Sequence, residues 1–162
     1  MLRRFGWILF LSLIPVSEIR GSMIYAFAAL DTPQQLALAY LISVIGNFLP
    51  VPFIILLFRP IVKWLKTTRV FGKFAHWLED RASRKAQDLK KATAGALMVF
   101  VAIPFPTTGA WTGAMIASLL DMRFKYALPA VLLGIMIAGG IMALLLTGVL
   151  NLGALGEWLI TQ

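Results

Sequence analysis

Glu18 and Arg20 are the only charged side chains inside any apolar stretch of this 162-residue chain. Each costs about 2.5 to 3.5 kcal/mol at the centre of a bilayer, so both need partners or water, and intramembrane charges of this kind mark functional sites by default. A buried carboxyl that gains and loses a proton suits proton-coupled export, and a guanidinium beside it can bind a phosphate or tune the acid. The structural alternative is a permanent ion pair that locks the segment. Residues two apart face each other in extended chain but not on a helix, so direct pairing predicts a non-helical tip.

A second polar break, Pro104 to Gly113, carries no charge. It offers the hydroxyls of Thr107, Thr108 and Thr112, the indole N–H of Trp111, and backbone groups freed by Pro104, Pro106, Gly109 and Gly113, as expected of an anion or polar-ligand site. A third break, Gly46 to Pro52, places Asn47 beside Pro50 and Pro52, which remove backbone donors. Glu18, Arg20, Asn47, Thr107, Thr108, Trp111 and Thr112 are therefore the candidate substrate- or proton-binding residues. Pro15, Gly21, Pro50, Pro52, Pro104, Pro106, Gly109 and Gly113 are candidate hinge and packing positions. Gly109, Gly113 and Ala117, like Ala130, Gly134 and Ala138, form small-residue faces for close helix packing. With no cysteine, one histidine, His76, and no paired carboxylates or phosphate-binding glycine loop, the sequence predicts no catalytic site, metal or cofactor.

The elements that must position these residues are apolar. Hydrophobic residues make up 60% of the chain, and mean hydropathy is +0.85, too high for a soluble globule of this size. Four blocks, 5–30, 35–58, 94–120 and 126–150, are each long enough to cross a core of about 30 Å. The first and third are broken centrally into half-length arms, the pattern of a re-entrant hairpin or discontinuous helix. The same two blocks share anchors: Ile14-Pro15, Gly21-Ser22-Met23-Ile24 and Leu30-Asp31 correspond to Ile103-Pro104, Gly113-Ala114-Met115-Ile116 and Leu120-Asp121.

The expected fold is thus one all-α integral membrane domain of two repeats, residues 1–58 and 94–150. Each repeat is a re-entrant hairpin (5–30 and 94–120) followed by a long transmembrane helix (33–58 and 126–150), and 151–162 form a tail. Repeats with breaks in corresponding positions point to a transporter's binding site. Thr32-Pro33-Gln34-Gln35 predicts the start of the first long helix, with threonine as N-cap and proline at the first helical position.

Ten of the fifteen Lys and Arg lie between Arg59 and Lys91. This places segment 59–93 in the cytoplasm by the positive-inside rule, facing anionic lipid rather than nucleic acid. Phe71, Phe74, Trp77 and Leu78 give it an amphipathic, interfacial helical pattern. Hairpins and full crossings score alike under that rule, and the half-depth breaks favour hairpins, making the repeats inverted. Arg3 and Arg4 before an apolar run also fit a signal peptide, but cleavage would divide the repeat.

Glu18-Ile19-Arg20-Gly21, Gly46-Asn47-Phe48-Leu49-Pro50-Val51-Pro52-Phe53 and Ile103-Pro104-Phe105-Pro106-Thr107-Thr108-Gly109-Ala110-Trp111-Thr112-Gly113-Ala114 resemble the small multi-drug export protein family of bacterial membrane proteins. Thr107, and Ser22-Met23, depart from its pattern. The broken-hairpin plan is also similar to the DedA (VTT) superfamily, a resemblance that implies lipid scrambling or carrier-lipid translocation with acidic and arginine residues at re-entrant tips. The expectation is a multi-pass transporter of the bacterial inner membrane, a homodimer among membrane lipids, exporting small organic, drug-like or cationic substrates with proton coupling at Glu18. The alternatives are a translocase of a phosphate-bearing lipid or polyprenyl carrier, and a non-transporting assembly subunit.

Overall fold

The computed structural model describes residues 2–67, 94–105, 108–120 and 122–160. The stripe Phe71, Phe74, Trp77 and Leu78, together with His76, Pro106 and Thr107, lies outside them. Regular structure among the described residues is helical throughout: α1 Leu2–Leu13, α2 Glu18–Ala29, α3 Pro33–Phe48, α4 Val51–Thr67, α5 Ala94–Ala102, α6 Ala110–Leu119 and α7 Phe124–Ile160.

Local chemistry sets these boundaries. The residue before a proline is biased away from helix, and α1 stops just before Ile14-Pro15. Leu30 is extended (φ −126°, ψ 136°), which ends α2. Thr32, also extended, accepts a 3.4 Å hydrogen bond from the Gln35 N–H, and Pro33 opens α3, as the Thr-Pro-x-Gln sequence predicts. Leu49 N–H still reaches Ile45 O at 2.9 Å, but Pro50 and Pro52 have no N–H to offer the carbonyls of Gly46 and Phe48. The helix breaks there and resumes as α4. It then continues past Arg59 and through Pro60 to Thr67, beyond the point where the basic segment was expected to begin.

Two stretches are long and apolar enough to cross a membrane, Pro33–Phe58 with 26 residues and Phe124–Gly148 with 25. At 1.5 Å per residue, α1 and α2, with 12 residues each, span only about 18 Å. With 9 and 10 residues, α5 and α6 are shorter still.

The short helices pack on the long ones. An Arg4 side-chain hydrogen bond to Ala29 O ties the start of α1 to the end of α2, so these two helices run antiparallel. Both lean on α3, α5 lies along α7, α6 packs on α4 and α7, and α2 also reaches α7. Glycines near the middle of the long spans admit the close approaches. Gly46 sits against Ser12 and Leu9 of α1, Gly134 against Val101 and the Met98 carbonyl of α5, and Gly139 against Ile19 of α2 and Tyr40 of α3. The Tyr40 hydroxyl donates to Met136 O at 2.8 Å, fastening α3 to α7 at the same level.

The main core gathers Ile19, Met23, Val44, Val51, Leu97, Val101, Val131 and Ile135, and a smaller cluster of Ile8, Ala26, Leu30 and Ala39 joins the first hairpin to α3. Outward-facing Ile45, Phe53, Leu56 and Leu144 remain exposed, as expected of a surface solvated by lipid.

The fit at Gly134 is tight enough to test. A Cβ there would stand 2.6 Å from Val101 Cβ and 2.8 Å from the Met98 carbonyl oxygen, whereas at Gly140 nothing lies within 4 Å. Gly134→Val is expected to destabilise the protein by about 1 to 3 kcal/mol through overpacking, and Gly140→Ala to leave thermal unfolding in detergent nearly unchanged.

Candidate functional site

The two hairpins meet through the charges of the first and the backbone of the second. Glu18 is 5% exposed, and its Oε1 accepts a 3.3 Å hydrogen bond from the Trp111 N–H in the first turn of α6, with the Ala110 N–H also facing the carboxylate. The first N–H groups of a helix lack internal partners and form the positive end of its dipole. Glu18 therefore caps a helix ninety residues away in the chain, as roughly judged from the 93-residue separation of its bonded partner. Gly109, fully extended, lets the carboxylate come this close, since a Cβ at that position would overlap it.

Arg20 takes the opposite polarity. Its guanidinium donates to the Thr108 carbonyl and, at 3.4 Å, to the Ile103 carbonyl, just past the end of α5. Thr108 Oγ1 donates to Ile103 O at 2.7 Å and to Phe105 O at 3.1 Å, closing the tip on itself. The acid thus meets a helix N-terminus, the favourable sign for a carboxylate, and the base meets backbone carbonyls of the tip between α5 and α6. Glu18 and Arg20 both lie on helical α2 and form no ion pair with each other among the described residues. The non-helical tip expected from direct pairing is not found, because both charges find partners in the other hairpin.

Glu18 also holds a left-handed backbone (φ 49°), which is unfavourable for a residue with a Cβ. Its N–H nevertheless donates to Ile14 O at 2.9 Å. The turn over residues 14–17 thereby aims the carboxyl across to α6. Gly21 packs so closely on Ser17 that a Cβ would meet its hydroxyl.

Of the residues expected at the site, the structure brings together Glu18, Arg20, Thr108, Trp111 and Gly109. Thr112 follows in the first turn of α6 and is half-buried, and Pro104 lies half-buried in the tip. Gly113 serves packing, set against Val101 and Leu97 of α5. Asn47 is buried at the α3–α4 break with its Oδ1 unpartnered. Arg20 Nε, Trp111 Nε1 and Ser17 Oγ are likewise buried without hydrogen-bond partners.

Sequence reasoning passed over Ser12, Ser43, Tyr40 and Gly139. The available signal was the i, i+3, i+4 spacing of Ser43, Gly46 and Asn47, which puts three small or polar residues on one face of an apolar helix. An apolar crevice of about 400 Å³ lies between α2, α3 and α7, lined by Met23, Phe27, Leu36, Tyr40, Leu41 and Ala143 among others.

Two long apolar spans, short helices packed at their midpoints and a buried charged seam define a helical membrane protein. The sequence pattern described as Putative small multi-drug export protein matches residues 18–141, and the chain belongs to that family. The matched region begins at Glu18 itself and includes the breaks at 46–52 and 104–113. The family description names small multi-drug export. Neither curated proteins nor solved structures give a significant match.

The geometry separates two origins for the stability of the seam. Each charge bonds different backbone atoms, so Glu18→Gln and Arg20→Gln are each expected to cost about 1.5 to 3 kcal/mol, the range for a hydrogen bond to a charged group. The double substitution is expected to cost nearly their sum. Thermal unfolding of the three variants checks this, and recovery of stability in the double variant would show that the charges chiefly neutralise each other.

Proposed function

We propose that this protein is a small proton-coupled exporter of amphipathic organic cations, in which Glu18 takes up the proton and Arg20, Thr107, Thr108, Trp111 and Thr112 complete the binding region. The carrying observation is the Glu18 carboxylate at the N-terminus of α6. A carboxylate stabilises that helix end only while it is charged. Protonation removes the attraction, loosens the contact between the hairpins and frees their tips to move. A cationic substrate competing with α6 for the same carboxylate would be expelled as the proton binds. The apolar crevice that starts at Met23, on the same helix as Glu18, has the size and lining for the hydrophobic part of such a substrate.

On this reading the two hairpins are re-entrant and form inverted repeats with α3–α4 and α7. Supporting it are the short arms, the Arg4–Ala29 tie and the approach of Ser12, Ile19 and Val101 to glycines near mid-span. The positive-inside rule favours a bacterial inner-membrane location with segment 59–93 in the cytoplasm. A homodimer among membrane lipids follows from the small cavity that so few segments enclose alone.

A second reading, translocation of a phosphate-bearing lipid, has its own support. Arg20 Nε and Trp111 Nε1 are buried donors without acceptors. Phosphate oxygens would satisfy both.

Proteoliposomes carrying a pH gradient test the two readings. Organic cations are expected to move against their gradient in wild type, while Glu18→Gln keeps the fold but loses pH-driven transport. Movement of polyprenyl or glycerophospholipid phosphates, lost in Arg20→Gln, would favour the second reading. No transport of either class would leave the seam a structural clasp. Single cysteines at positions 4 and 31 are expected to label from the same external face, and labelling from opposite faces would exclude re-entrant hairpins.

A further inference from the structure

Away from the charged seam, buried polar side chains lie at the α3–α4 break, and two of them hold oxygen atoms without a hydrogen-bond partner. Ser43, Gly46 and Asn47 share one face of α3, and the Gly46 position abuts the Ser12 side chain of α1. Ser12 and Ser43 are 0% exposed and Asn47 is 1% exposed. Ser43 Oγ and Asn47 Oδ1 have no hydrogen-bond partner. Ser12 donates its proton to Leu9 O at 2.7 Å, which leaves its lone pairs free. Pro50 has no N–H for the Gly46 carbonyl, and this carbonyl belongs to the last turn of α3, the negative end of the helix dipole.

A buried amide oxygen without a donor is costly, and in a membrane interior water is scarce. Four neutral oxygens at a helix C-terminus suit a hard cation of low charge. With no carboxylate in the set, a divalent ion would be poorly compensated. We propose that Ser12 Oγ, Ser43 Oγ, Asn47 Oδ1 and the Gly46 carbonyl form a binding site for an alkali-metal cation, Na⁺ or K⁺, at the broken helix. Unwound carbonyls and half-helix C-terminal ends are the groups that hold such ions within membranes. This site uses none of the atoms of the Glu18–α6 contact, so it stands whether or not the export reading does.

The test is thermal unfolding of the purified full-length protein in detergent, at fixed pH and chloride concentration, in NaCl, KCl or choline chloride. Binding to the folded state alone predicts a saturable rise in melting temperature of about 5 °C with Na⁺ or K⁺ over choline. Ser43→Ala and Asn47→Ala are expected to lose that increment. Thr147→Ala, which alters an exposed hydroxyl elsewhere on α7, should keep it. Should Asn47→Ala not fold, Ser43→Ala gives the same readout with a smaller change in volume. A wild-type melting temperature indifferent to the cation overturns the proposal and leaves a buried water or an empty pair of oxygens. Retention of the increment in the Ser43 and Asn47 variants overturns it as well.

Discussion

A carboxylate facing the first N–H groups of α6, and a guanidinium facing the carbonyls beyond α5, solve one problem at both ends of the second tip. Helix ends inside a membrane leave backbone groups that neither lipid nor water can satisfy, and a charge in the same medium is expensive alone. Joining the two removes both penalties at once. The first hairpin supplies charges that do not pair with each other, and the second supplies an α6 N-terminus with no side-chain cap of its own. Neither arrangement is tenable in hydrocarbon by itself. The rest of the fold depends on their being held in register.

That register is maintained by small residues on the long spans. Gly139 admits Ile19, the residue between the two charges, and Gly134 admits Val101, near the end of α5. Each contact places a hairpin tip against α7, and the Tyr40–Met136 hydrogen bond holds α3 to that helix at the same depth. Since the driving force between helices in lipid is packing rather than water exclusion, these close approaches carry much of the association. The left-handed backbone at Glu18 belongs to the same scheme. A conformation unfavourable for its residue type persists because the Ile14 carbonyl, the Trp111 N–H and the packing of Ile19 all fix it.

The export proposed above requires that some part of this arrangement have a second state. A contact between a carboxyl and a helix dipole is a suitable hinge, because a single proton removes the attraction without altering shape. The oxygen cluster at the α3–α4 break differs in kind: its groups are neutral, and its geometry is set by prolines that cannot donate. On the proposals above, one element responds to protons and the other is suited to a spherical ion. Their separation in the fold permits each to be perturbed alone.

Much of this was legible in the sequence. Apolar blocks, the breaks at Pro15, Pro50 and Pro104, and the Thr32-Pro33 helix start follow from local rules that act within a few residues, and the structure has them at those positions. Glu18, Arg20, Thr108 and Trp111 stood out as candidates because a charge in an apolar block and a polar tip in another are conspicuous by composition. What the charges touch was not legible. Spacing left open whether Glu18 and Arg20 would pair with each other, and partners 83 to 93 residues away hold both of them, because the α6 N-terminus has N–H groups without intrahelical acceptors and carbonyls of the tip accept more than one donor. The oxygen cluster was hidden for a related reason: Ser12 and Ser43 are ordinary hydroxyls in the sequence. Only the packing of α1 against Gly46 brings Ser12 to that break, and burial, a property of the tertiary structure, gave those atoms their significance.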